Sequence, residues 1–254
     1  EREKPAPEDP PLPHTQWPDS TRRTRRFDAD GNVVEERAYD ARGRPVPAAT
    51  GEFIVRREFD HLNQPTAEWY LDADERPMVG GMDQVARLSR AFAVLGEGDA
   101  CWIDAEGKVR CTDPQTSGEG PGRGTIIETR FFDVSGKPTW SAAHGRGIVR
   151  VVSAKDADGH VLELRYFGED ERPAVNRLGV HSIRTRWSPD GPIEEVCVGA
   201  DGLPVEAEIA DGLRCARRTW TYDDRGHAVE YRTLGADGSP RADELGVAAR
   251  IRRY

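Results

Sequence analysis

The chain has 254 residues, 37% apolar and 32% charged, with a formal net charge of −9. That balance makes a nucleic-acid backbone a poor partner, and no run of about 18 apolar residues is present to cross a membrane. The four cysteines include no Cys-x-x-Cys pair, which excludes the usual zinc frameworks, and no phosphate loop or other cofactor motif appears.

Residues 1–21 are dense in proline and charge and read as a tether or linker. From residue 22 to 254 one phrase recurs, an apolar or aromatic pair followed by a short acidic turn and then usually proline. Its copies are Ala38–Val46, Trp69–Val79, Cys101–Val109, Phe131–Pro138, Arg165–Val175, Cys197–Val205 and Thr233–Pro240. Their closing residues Pro45, Pro77, Val109, Pro138, Pro173, Pro204 and Pro240 are spaced by 29 to 36 residues. A period of this length marks a repeat architecture, in which one supersecondary unit is stacked many times.

Ahead of each phrase runs a second one: a strand with alternating arginines, an aromatic, a short turn and a strand with glutamates. Gly51–Asp72, Gly179–Gly199 and Gly212–Gly235 are the fullest copies. The opening Gly stands eight residues before the aromatic in several copies, and strands of that length with period-two alternation are the β signature. Asp-x-x-Gly supplies the turn, since Asp bonds its own backbone and Gly takes positive φ without steric cost. The segment Gly81–Gly96 has good helix propensity, but its register against Ile183–Trp187 makes it a strand here. Residues 113–125 break the period and read as an exposed loop. The chain is therefore expected to be all-β, with about seven tandem hairpin units of 29–36 residues forming an extended or curled antiparallel sheet or solenoid.

Phe27-Asp-Ala-Asp-Gly31, Tyr39-Asp-Ala-Arg-Gly43 and Tyr222-Asp-Asp-Arg-Gly226 resemble the YD-type β-hairpin repeats of large bacterial surface and toxin-delivery proteins, the Rhs-like family. The units here are longer, alternate two kinds of turn and keep proline where that family does not. The resemblance implies an exported β scaffold.

Cys101 and Cys111 bracket one acidic turn, and Cys197 and Cys215 flank another pair of strands, so two disulfides and an oxidising compartment are expected. Arg56, Arg57, Arg184, Arg186, Arg217 and Arg218 lie in first strands, and Glu35, Glu36, Glu68, Glu163, Glu194 and Glu195 in second strands. Cross-strand pairing makes these a self-neutralising ladder, with an anion-binding groove as the functional alternative. Asp28/Asp30 and Asp156/Asp158 are read as hairpin-turn chemistry ahead of calcium loops, and no metal is assigned. His144 and His181 are read as satisfied or exposed. The tryptophans recur at strand ends, and periodicity favours an inward, unit-gluing role over a binding platform.

The reading that follows is a non-enzymatic, monomeric, exported scaffold or binding module at the bacterial cell envelope, in the periplasm or at the cell surface. It engages a protein or glycan partner and no nucleic acid. Candidate binding residues are Trp69, Trp187, Trp220, Arg184, Arg186, Arg217 and Arg218. The alternatives are a polysaccharide-active enzyme using paired carboxylates and an intracellular adaptor acting by β-augmentation.

Overall fold

The computed structural model describes residues 17–95, 100–103, 109–112, 124–210, 213–242 and 247–252. The residues read as tether up to 16 and as loop over 113–123 lie outside these. The strands are β1 (Arg22–Phe27), β2 (Val33–Tyr39), β3 (Ile54–Phe59), β4 (Pro65–Leu71), β5 (Arg87–Leu95), β6 (Ala100–Ile103), β7 (Val109–Thr112), β8 (Gly124–Phe132) and β9 (Arg150–Lys155). They continue with β10 (Val161–Phe167), β11 (Ser182–Ser188), β12 (Gly191–Val198), β13 (Ala207–Ala210), β14 (Leu213–Cys215), β15 (Arg217–Tyr222), β16 (Ala228–Leu234) and β17 (Ala249–Ile251). Thirteen of them form one open antiparallel sheet in the order β1-β2-β3-β4-β5-β8-β9-β10-β11-β12-β15-β16-β17. Of the helix-prone stretch Gly81–Gly96, Arg87–Leu95 forms strand β5 as its register demands, and residues 81–86 form a turn closed by the Gly80↔Val85 bridge. Among the described residues no helix is long and apolar enough to cross a membrane.

Each unit is a hairpin followed by a second tight turn. Turns that open on Asp use one device: in the second turn of the β3–β4 unit, Asp72 Oδ1 accepts from the backbone N–H groups of Asp74 and Arg76, both at 2.9 Å. In turns that open on Gly, such as Gly199–Gly202, the third residue serves instead, Asp201 Oδ1 accepting from Leu203 N–H at 3.0 Å. The turn's fourth residue then takes a left-handed conformation, usually as glycine, as at Gly202 (φ +81°). Proline follows and lies back against the strand end in isolated bridges, Leu71↔Pro77 and Phe167↔Pro173 among them. Having no N–H, it stops the ladder there and sends the chain across to the next strand.

Among the described residues six such proline bridges occur, at Pro45, Pro77, Pro138, Pro173, Pro204 and Pro240. The phrase Cys101–Val109 behaves differently from the rest. It forms the separate hairpin β6–β7, inserted while β5 pairs directly with β8 over nine residues. The main sheet thus carries six units and the terminal strand β17, with the expected seventh set outside it.

The core sits at the connection end of one face, called here the inner face. It joins strand residues Val55, Tyr70, Leu88, Phe131, Val151, Tyr166 and Cys197 to Ala48, Val85, Ile148 and Val180 from the connections and to Ala207 at the start of β13. Each large apolar side chain removed from water there contributes roughly 1.5–3 kcal/mol. Trp17, read with the tether, is buried in this same cluster. A smaller cluster of Ile126, Val152 and Phe167 lies on the opposite, outer face, near where β6 packs against β9.

The cysteines part company. Cys101 and Cys111 are direct register partners across β6–β7, and their side chains lie outside the described residues. Cys197 is held as a buried thiol, and its backbone N–H bonds to Ala216 O at 2.8 Å. The ladder sets Ala216 opposite it, so the expected Cys197–Cys215 bridge is not formed.

Candidate functional site

On the inner face the core ends partway along the strands, because the connections reach only one end of the sheet. Beyond their reach, toward the tight turns of β11–β12 and β15–β16, the apolar surface stays uncovered. Val161, Leu164, Ile183, Trp187, Pro192 and Trp220 line an open groove of about 330 Å³, and Glu195 and Arg218 close its floor as an ion pair (Arg218 Nε to Glu195 Oε1, 3.0 Å). Burial weakens the Arg218 charge, but the attraction of Glu195 more than offsets it and its pKa is raised.

The two indoles are held, not loose. Trp187 donates Nε1–H to Val161 O at 3.0 Å and stacks on the His160 ring, centroids 4.4 Å apart and planes 15° from parallel. Trp220 leans on Tyr231 at 5.4 Å, with the Arg218 guanidinium 5.4 Å from its ring centre. Past Trp220 a second depression of about 200 Å³ continues along Tyr231, Arg250 and Arg252. Rigid aromatics that keep exposed ring area lose little entropy on binding, which is what a recognition surface needs.

The structure divides the predicted binding residues between two faces. Trp187, Trp220 and Arg218 come together in the groove. Arg184, Arg186 and Arg217 lie on the outer face, paired with Glu163 at 2.9 Å, Glu194 at 3.2 Å and Glu194 at 3.5 Å. Trp69 also faces outward, on β4, with Arg87 5.2 Å from its ring centre. All three tryptophans are half-buried: Trp69 faces outward, while Trp187 and Trp220 lie on the inner face, where Trp187 joins its hairpin to the neighbouring one through Val161 and His160.

The ladder was expected, and one of its parts was not. On the outer face Glu35 takes the Nε groups of Arg37 (2.8 Å) and Arg56 (3.0 Å), and Glu75 takes an outer nitrogen of each, at 2.6 and 3.0 Å. Glu171 bridges Arg130 (2.6 Å) and Arg150 (2.7 Å) beside Glu128 in the same manner. Glu75 (φ 66°) and Glu171 (φ 61°) each stand at the left-handed turn position that glycine fills elsewhere. A non-glycine residue there is strained, and the strain is offset here by clamping two guanidiniums. The arginine hydrogen bonds hold the Glu75 carboxyl below its usual pKa. A glutamate replacing glycine in Asp-x-x-Gly was the available signal in the sequence.

Three further polar groupings among the described residues are tied into the fold by their own hydrogen bonds. Ser141 is buried and gives its hydroxyl proton to Asp83, whose charge also acts on His144. The His144 ring lies between Phe131 and Tyr166, and burial lowers its pKa. His181 Nδ1 meets Tyr166 O at 2.9 Å. Asp156, Asp158 and His160 have ligand atoms within 4.8 Å of one another, but Asp156 already binds the backbone of Asp158 and His160 and the His160 ring. Turn chemistry accounts for that cluster.

No family model matches the chain, and no curated protein does. Among solved structures, the crystal structure of TcdB2-TccC3-TEV aligns with 86% of this chain at 12% identity and a TM-score of 0.23, and the chain spans 13% of that chain's length.

Proposed function

We propose that the protein is a non-enzymatic, YD-type β-repeat scaffold that binds a glycan in the inner-face groove. The observation that carries this reading is the pairing of two immobilised indoles, Trp187 and Trp220, across an apolar floor that ends in the Glu195–Arg218 pair. Sugar rings present apolar faces ringed by hydroxyls, so they match flat aromatics beside a charged hydrogen-bonding pair. Titration with oligosaccharides, followed by tryptophan fluorescence and calorimetry, tests it. Trp220→Ala is expected to weaken the best ligand by about 2 kcal/mol or more, the usual cost of truncating a central aromatic anchor. Equal binding by the variant and the parent overturns the groove assignment.

The scaffold is proposed to work outside the cytoplasm, at the cell envelope. The direct opposition of Cys101 and Cys111 supports this, since facing strand positions are where a bridge closes without moving the backbone. Intact mass after denaturing alkylation without reductant is expected to show one bridge and two modified thiols. Four modified thiols overturn the exported reading and favour an intracellular adaptor.

A further inference from the structure

The β1–β2 hairpin is built to the same register as β15–β16. Residue pairs match one for one, from Arg22↔Tyr39 to Phe27↔Val33 in the first and from Arg217↔Leu234 to Tyr222↔Ala228 in the second, with the same shift before the last pair. The chain also enters both alike, Thr21 N–H bonding to Tyr39 O and Ala216 N–H to Leu234 O, each at 2.9 Å. Both strands open on the same triplet, Arg22-Arg23-Thr24 and Arg217-Arg218-Thr219.

The two differ on the far side. Strand β15 is met by β12, which sets Glu194, Glu195 and Val196 opposite Thr219, Arg218 and Arg217. Glu194 pairs with Arg217 at 3.5 Å, and Glu195 with Arg218 Nε at 3.0 Å. The main chain joins as well: Cys197 N–H donates to Ala216 O at 2.8 Å, so by alternation Glu195 and Arg218 present their own N–H and C=O groups to one another. Strand β1 stands at the edge of the sheet, and among the described residues no strand meets it on that side. Every residue of β1 is exposed. Arg25 and Arg26 pair with Glu36 and Glu35 inside the hairpin, at 3.1 and 3.6 Å. Arg22 and Arg23, the counterparts of Arg217 and Arg218, meet no carboxylate among the described residues. They lie over the rings of Tyr39 (4.8 Å) and Trp17 (5.5 Å).

We propose that the edge of β1 is a docking site for an extended acidic segment of a partner protein. The segment joins the sheet antiparallel to β1, with a Glu-Glu-apolar triplet opposite Thr24, Arg23 and Arg22. Thr21 O and the main-chain groups of Arg23 supply the ladder, as Ala216 and Arg218 do for β12. The two guanidiniums select the charge, since an arginine beside a carboxylate makes the stronger, charge-assisted kind of hydrogen bond. A second copy of this chain does not suit the edge, because two β1 strands laid side by side would oppose arginines to arginines. The site lies toward the opposite end of the sheet from the tryptophan groove and stands or falls separately from it.

The probe is a peptide with the sequence of β12, Gly191–Val198, carrying Cys197→Ser. It is titrated into the isotope-labelled full chain at low ionic strength and followed by amide NMR shifts. Shifts concentrated on Thr21–Thr24, saturating at millimolar peptide or below, are the expected result. N-methylation of the peptide glutamate that matches Glu195 removes its ladder N–H and is expected to weaken binding about tenfold, the upper net worth of one hydrogen bond. The same peptide with both glutamates changed to glutamine is expected to lose about fivefold, and Arg23→Gln in the protein about threefold, as exposed ion pairs do. Circular dichroism checks the fold of that variant, and the peptide changes leave the protein untouched. No shifts at millimolar peptide, or equal binding by the N-methylated peptide or by a scrambled peptide of the same composition, overturns the proposal. So do shifts that fall on β15 in place of β1, which would mean that the peptide exchanges with β12.

Discussion

Replacing Phe131 by alanine is expected to cost about 3–5 kcal/mol of unfolding free energy, the range for emptying a large aromatic site in a packed core. Phe131 is 1% exposed, on β8 in the middle of the sheet, and its ring packs in the cluster that ties strands to connections. Its main chain is committed on both sides as well, accepting from Thr139 N–H and donating to Val149 O. The ring neighbours His144, which the Ser141 loop holds in place, so the cavity has little freedom to collapse. Denaturant unfolding checks this, and a loss below about 1 kcal/mol would mean the site repacks.

Glu68→Gln is expected to have a comparable effect by an electrostatic route, about 3–5 kcal/mol, because it strands the buried Arg57 charge. Glu68 Oε2 lies 2.7 Å from Arg57 Nε, with both side chains almost wholly out of water, and its other oxygen accepts from the Tyr70 hydroxyl. Burial pushes the Glu68 pKa up, yet Arg57 and Tyr70 together hold it below the ordinary value of 4.5. A depressed folded pKa contributes stability that is complete above the unfolded value and is lost as pH falls through the folded one. Acid below about pH 4.5 is therefore expected to begin what the substitution does at neutral pH. The double variant Arg57→Met/Glu68→Leu should restore most of the loss, since apolar replacement of a whole buried pair is often neutral. If the single and double variants were equally unstable, packing and not charge would explain the position.

Much of the fold was legible because it is written locally. Alternation gives the strands, Asp at the first or third turn position gives the turns through bonds to nearby backbone N–H groups, and proline gives the break between units. What was not legible depends on distant partners. Nothing in Cys101–Val109 distinguishes a unit of the main sheet from an insertion, because that choice rests on β5 pairing with β8 across the intervening chain. The partial exposure of Trp187 and Trp220 on the inner face was hidden for a related reason. Periodicity shows that they are equivalent, but not that the covering connections stop short of the tight-turn end where they stand. The register shifts opposite Arg186/Trp187 and Thr221/Tyr222 insert an extra residue in the partner strands β12 and β16, where period-two counting fails across the bulge. Pro192 shares the groove with Glu195 for that reason. The arginine–glutamate ladder was visible, while the clamps needed the turn glutamates to be seen in space.

The inserted hairpin β6–β7 has a consequence for how such a chain can change. It leaves the sheet after β5 and returns at β8, and the nine-residue ladder between those strands closes beneath it without interruption. The architecture can thus acquire an appendage at a junction between consecutive strands without giving up a rung. Loop-closure entropy rises only slowly with the length of an excursion, so a larger payload there costs little more than a small one. This junction is a natural port for grafting a foreign domain, and a lineage built on such arrays can diversify by exchanging what projects from them while inheriting the frame unchanged.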